Sequence, residues 1–65
     1  MKLTVNGEQR DTRATTIRQL VASLGLSERP VAVELNGTMV PRNKHEEAQL
    51  HDGDTLEIVT LVGGG

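Results

Sequence analysis

The chain has 65 residues, no cysteine and no aromatic residue, and it carries 7 basic against 9 acidic side chains for a net charge of −2. Composition excludes a disulfide framework or a thiolate metal site, a basic nucleic-acid stripe and aromatic stacking on single strands. The size allows one domain that buries only about 60% of its unfolded surface, with an aliphatic core. No apolar run approaches a membrane span, and Met1-Lys2-Leu3-Thr4-Val5-Asn6 is too short and too alternating for a signal peptide. The cytoplasm is therefore the default location.

Met1 to Val5 alternates apolar and polar residues, the period of a half-buried strand. Asn6-Gly7 follows as a hairpin signal, because both residues accept positive φ. Glu8 to Arg13 is polar throughout, which suits a returning strand at an exposed edge. Thr16-Ile17-Arg18-Gln19 has capping-box spacing, with the Thr16 hydroxyl on the Gln19 N–H and the Gln19 side chain reaching back. Ile17, Leu20, Val21 and Leu24 then form one helical stripe. Gly25 and Leu26 stand where a left-handed C′ residue and its hydrophobic contact would end the helix.

Val31 to Leu35 reads as a largely buried strand, Asn36-Gly37 as a second hairpin turn, and Thr38 to Val40 as a short partner strand ended by Pro41. Asn43 to Glu47 is expected to make one helical turn capped by Asn43. Asp52-Gly53-Asp54 is a turn, and Thr55 to Val62 is the last and most apolar strand. The order is ββαββ, a short helix, then β. One helix must cover one face of the sheet, the polar second strand belongs at an edge, and the apolar last strand belongs at the centre beside the first, parallel to it. The expected fold is α+β, a β-grasp: a mixed sheet of about five strands with one main helix on one face.

The last strand runs directly into Gly63-Gly64-Gly65. Such a tail is thin and conformationally free, and its reactive group is the Gly65 carboxylate. With no cysteine available, that carboxylate is the natural attachment point for a carried group. The expected division is a folded domain over 1–62 and a flexible tail over 63–65. In the last strand, Leu56, Ile58 and Thr60 share one face, while Glu57, Val59 and Leu61 share the other. If the first set packs on the helix, Val59 and Leu61 form an exposed docking patch that Val62 adjoins. His45 and His51 lack the i, i+4 spacing of a helical zinc motif and are read as solvated surface residues. No metal site is expected. Arg10, Arg13, Arg18, Arg29 and Arg42 are read as solvated charges, with Arg42 a candidate contact for a partner acid.

The chain resembles the thiamine-biosynthesis sulfur carriers (ThiS family) of the ubiquitin-like β-grasp superfamily. The resemblance rests on Val5-Asn6-Gly7, on Thr16-Ile17 with Leu20, and on Val31-Ala32-Val33-Glu34-Leu35-Asn36. It continues through Val40-Pro41-Arg42, Asp52-Gly53-Asp54 and the stretch from Glu57 to Gly65. It implies a non-enzymatic carrier with no bound cofactor. A ThiF-like adenylating enzyme using MgATP would activate Gly65, a cysteine-derived persulfide would convert it to a thiocarboxylate, and thiazole synthase would take the sulfur. Gly65 carries over as the modified residue and Gly64 as the residue that lets the tail enter the partner's site, with a lesser role for Gly63. Two alternatives share the tail. One is a sulfur carrier of another pathway: the molybdopterin synthase small subunit, which is usually longer with an aromatic-rich or Pro-containing approach to Gly-Gly, or a natural-product carrier. The other is a ubiquitin-like modifier joined to a target lysine.

Overall fold

Two Asn-Gly pairs turn the chain where their backbones permit it. In the computed structural model, which describes residues 1–61, φ is +51° at Asn6 and +82° at Gly7, and +50° at Asn36 and +86° at Gly37. Positive φ at both central residues is what a two-residue type I′ hairpin requires. The first turn joins β1 (Lys2–Val5) to β2 (Glu8–Asp11), and the second joins β3 (Val31–Leu35) to β4 (Thr38–Val40). Helix α1 (Ile17–Ser23) lies between the hairpins, and β5 (Thr55–Thr60) closes the element order. The sheet order is β2-β1-β5-β3-β4, with β5 parallel to β1 and antiparallel to β3. This is the expected β-grasp arrangement, with the all-exposed β2 at one edge and β5 in the middle.

Helix α1 is short and depends on its caps and its buried face, as helices well under a dozen residues do. The Thr16 hydroxyl accepts from the Gln19 N–H at 3.2 Å, as the spacing predicts. The Gln19 side chain does not return to Thr16: its Oε1 accepts from the N–H and the hydroxyl of Thr15, at 2.8 and 3.0 Å. Thr16 is meanwhile paired with Gln49 in an isolated bridge, closed by Leu50 N–H on Thr15 O and Ile17 N–H on Ala48 O. The C-terminus closes as a Schellman motif. Gly25, at φ +77°, donates to Ala22 O, and Leu26 donates to Val21 O.

Leu3, Ile17, Leu20, Val33 and Leu56 are almost fully buried, and Val5, Ala14, Val21, Leu50 and Ile58 complete the aliphatic core among the described residues. β3 is less buried than its composition suggests: only Val33 is fully enclosed. The turn after Pro41 is a 3-10 helix over Arg42–Lys44, preceded by Pro41 and without a side-chain cap, so Asn43 does not cap it. The chain goes on turning through Glu47 N–H on Lys44 O.

Both hairpin asparagines have a second function. Asn6 Nδ2 donates to Ile58 O at 3.0 Å while its Oδ1 accepts from Ile58 N–H at 2.8 Å. Asn36 Oδ1 accepts from Thr55 N–H at 2.9 Å, and its Nδ2 donates to Asp54 Oδ1 at 3.0 Å. A carboxamide is a peptide group in miniature, so Asn6 extends the β1–β5 ladder beyond the last backbone pair, Val5 with Leu56. Asn6→Gly keeps a residue that accepts the turn's φ and deletes the two side-chain bonds. It is expected to cost about 1–3 kcal/mol of stability in urea denaturation. A cost near zero would show that the amide contributes nothing to holding β5.

Candidate functional site

The candidate site is the end of β5, the open face of the sheet beside it, and the tail that follows. Alternation along β5 buries Leu56 and Ile58 against the core and turns Glu57, Val59 and Leu61 outward. Val59 is 56% and Leu61 52% exposed, so the outward placement expected from the sequence is the observed one. Register sets Val59 opposite Ala32, Glu57 opposite Glu34, and Glu34 opposite Met39, which is exposed on β4. Met39, Val59 and Leu61 are three of the four large hydrophobic residues left exposed among the described residues, the fourth being Met1. Met39 and Val59 adjoin a pair of glutamates facing one another across the β3–β5 ladder, and Leu61 lies just past the end of β5.

That pair is electrostatically unfavourable, since like charges directly opposite in an antiparallel ladder destabilise it. No cation lies within salt-bridge distance of either carboxylate among the described residues; the ion pairs present there are Met1 with Asp11, Arg18 with Glu46, and Lys44 with Glu47. The surface thus combines aliphatic contact area with an uncompensated negative centre.

The root of the tail is fixed. Past Ile58, β5 is held from its β3 side, where Val31 pairs with Thr60 and Leu61 N–H donates to Pro30 O at 2.9 Å. Val62, Gly63, Gly64 and Gly65 lie outside the described residues. The sequence-based docking role of Val62, the tail role of Gly63, Gly64 and Gly65, and the domain boundary after residue 62 therefore have no structural description here.

The histidines divide. His51 is exposed, and its backbone N–H donates to Asp54 Oδ2 at 2.8 Å. His45 is not the solvated residue expected from the sequence: it is 7% exposed, with Nε2 3.1 Å from Val40 O. A carbonyl only accepts, so Nε2 carries the proton. The ring is drawn in because the turn after Pro41 packs beneath α1, where His45 O also accepts from Arg18 N–H at 3.0 Å. A contact across so many residues leaves no local sequence signal. Among the described residues no three His, Cys, Asp or Glu side chains gather as metal ligands would. No helix there is long and apolar enough to cross a membrane.

The sequence model of the ThiS family matches residues 3–65. The chain is 42% identical over 50 residues to the sulfur carrier protein ThiS of Bacillus subtilis, covering 77% of this chain and 76% of the relative. It is 46% identical over 66 aligned positions to a thiazole synthase of Paramagnetospirillum magneticum, covering all of this chain and 20% of the relative. A thiazole synthase of Magnetococcus marinus is matched over the same share at 38% identity. The chain therefore spans about a fifth of the length of these two relatives. The crystal structure of the thiamine biosynthesis protein ThiS from Geobacter metallireducens superposes with a TM-score of 0.81 at 33% identity, covering both chains completely.

Glu57→Gln removes one of the two opposed charges without changing side-chain shape. It is expected to raise stability by about 0.2–1 kcal/mol in urea denaturation at neutral pH and low salt, with the gain shrinking as salt is added. A loss of stability would show that Glu57 makes a favourable contact instead.

Proposed function

Because the chain belongs to the ThiS family, the sulfur carriers of thiamine biosynthesis, we propose that it carries sulfur as a thiocarboxylate on Gly65 and delivers it to thiazole synthase. The observation that carries this reading is a family match running through residue 65, joined to a central strand that leads from the core towards the glycines.

The chemistry follows from the carboxylate. As it stands it is a poor acyl donor, because its leaving group would be oxide. In the proposed cycle the Gly65 carboxylate attacks the α-phosphate of MgATP on a ThiF-like adenylating enzyme, releasing pyrophosphate and giving an acyl-adenylate. A cysteine-derived persulfide then attacks the acyl carbon and AMP leaves. Cleavage of the sulfur–sulfur bond, with two electrons from a thiol, leaves the thiocarboxylate. Its sulfur is the softer, more nucleophilic end, available to thiazole synthase. The carrier supplies no acid, base or cofactor of its own. It supplies recognition and reach, the positioning component of catalysis. The partner surface in this reading is Val59 and Leu61 with adjoining Val62, and Gly63-Gly64-Gly65 enters the partner's active site. Two thiazole synthases that contain a segment similar to this whole chain support thiazole synthase as the acceptor. Protein and partners would share the cytoplasm.

The test is intact-mass spectrometry after incubation with the adenylating enzyme, MgATP and a persulfide donor. Full-length chain is expected to gain the mass of an oxygen-to-sulfur exchange, and a chain lacking Gly65 is expected to gain nothing. The starting mass also reports whether Gly65 bears the free α-carboxyl group that the reading requires. Lysine-linked heavier species in place of the exchange would make the chain a modifier. Failure to rescue a thiazole-carrier-deficient strain supplied with compatible partners would remove the thiamine assignment. On the docking face, the double variant V59S/L61S is expected to stay folded and to bind the adenylating enzyme roughly tenfold or more weakly, as loss of an interface anchor does. Unchanged affinity would place the contact elsewhere.

A further inference from the structure

Opposite the open face of the sheet lies a pocket with no part in the scheme above. It is lined by Arg18, Ser27, Arg29, Arg42, the buried His45 and Glu46. Its volume is about 130 Å³, room for several water molecules. Three of the chain's seven Lys and Arg residues converge here although the net charge is −2. The one acid in the lining, Glu46, is already engaged with Arg18 at 2.6 Å. Neither Arg29 nor Arg42 has a carboxylate within salt-bridge distance among the described residues.

The three arginines come from separate parts of the fold. Arg18 is on α1, Arg29 is in the loop before β3, and Arg42 opens the 3-10 turn. The lining includes the His45 ring, nine-tenths buried and held through Nε2 on Val40 O. Two of the three guanidinium groups have no carboxylate partner among the described residues, and a cleft with an excess of one sign of charge concentrates the field on an ion of the other sign. Guanidinium groups match planar and tetrahedral oxyanions with paired N–H donors, and the Ser27 hydroxyl adds a donor.

We propose that this pocket is a receptor for a compact oxyanion, a phosphoryl or carboxylate group held by Arg29 and Arg42 with Arg18 and Ser27. The assignment stands on the pocket alone and is independent of the sulfur-carrier reading. The pocket adjoins the end of β5: Val31 lines it and pairs with Thr60, and Pro30 O, next to Arg29, accepts the Leu61 N–H. A bound anion therefore sits against the strand that anchors the root of the tail.

The experiment is a titration of the isotope-labelled full chain with inorganic phosphate, and separately with acetate, at constant ionic strength. It is followed by NMR of the backbone amides and the arginine Nε–H groups. Saturable shifts confined to Arg18, Ser27, Arg29, Arg42 and His45 are expected. Tighter binding of phosphate identifies a phosphoryl ligand, and tighter binding of acetate identifies a carboxylate such as a partner's acidic side chain; either result supports the receptor. The variant R29Q/R42Q is expected to keep the native amide spectrum of the core and to bind roughly tenfold or more weakly. R10Q/R13Q, with the same loss of charge away from the pocket, should bind within about twofold of wild type. Shifts that do not saturate with either ion, or equal weakening in both double variants, would overturn the proposal.

Discussion

β5 is the strand on which the rest of the molecule is assembled, and its hold on both neighbours is the controlling constraint. It pairs with β1 on one side and β3 on the other, and it contributes Leu56 and Ile58 to the core. Asn36 fastens it at its first residue, Thr55, and Asn6 at its middle, Ile58. Each asparagine performs two tasks with one residue. Its backbone accepts the positive φ that the hairpin needs, and its side chain donates and accepts as a peptide group would. Turn geometry and sheet register are thereby coupled. A slip of one residue in β5 would break both amide contacts and exchange the core-facing set for the solvent-facing set.

The same register that buries Leu56 and Ile58 compels Val59 and Leu61 to face outward. Exposure of that pair is therefore a geometric consequence of the core. What the core does not compel is the choice of residues there. Glu34 and Glu57 oppose one another, and Met39 stands exposed beside them. Optimising stability alone would favour opposite charges across the ladder and polar groups in place of Met39 and Leu61. Local departures of this kind are expected where a surface serves something other than folding, which agrees with a docking role for this face.

The elements legible in the sequence are those specified by neighbouring residues. Asn-Gly announced both hairpins, Thr16 with Gln19 and Gly25 marked the ends of α1, and an unbroken polar stretch marked β2 as an edge. The sheet order followed from placing the polar strand outside and the apolar strand inside. What was not legible is which of several competing local contacts forms, and any contact remote in sequence. The Gln19 side chain bonds Thr15 while Thr16 is engaged with Gln49. His45 is buried by packing against Val40 and α1, whereas the sequence around it, His-Glu-Glu, resembles any solvated turn. The 3-10 turn starts at Arg42, straight after Pro41, so the capping preference of Asn43 is not used. The arginine pocket combines α1, a loop and a turn, and no linear motif represents it.

These features divide the molecule by face. One side of the sheet is covered by α1 and carries the arginine pocket near the Pro30 contact; the other is open and carries the apolar and acidic patch. Both converge on the end of β5, where the backbone is held from the β3 side alone. That anchorage fixes the backbone as far as Leu61, while the glycines farther along the sequence add no side chain to obstruct a narrow channel. Under the carrier reading this arrangement separates the two demands on the protein. Recognition rests on a sheet face whose shape is set by the core, and reach rests on glycines that have no side chain to place. Substitution in the tail can then abolish transfer without unfolding the domain, and substitution on the open face can alter partner affinity without touching the carboxylate.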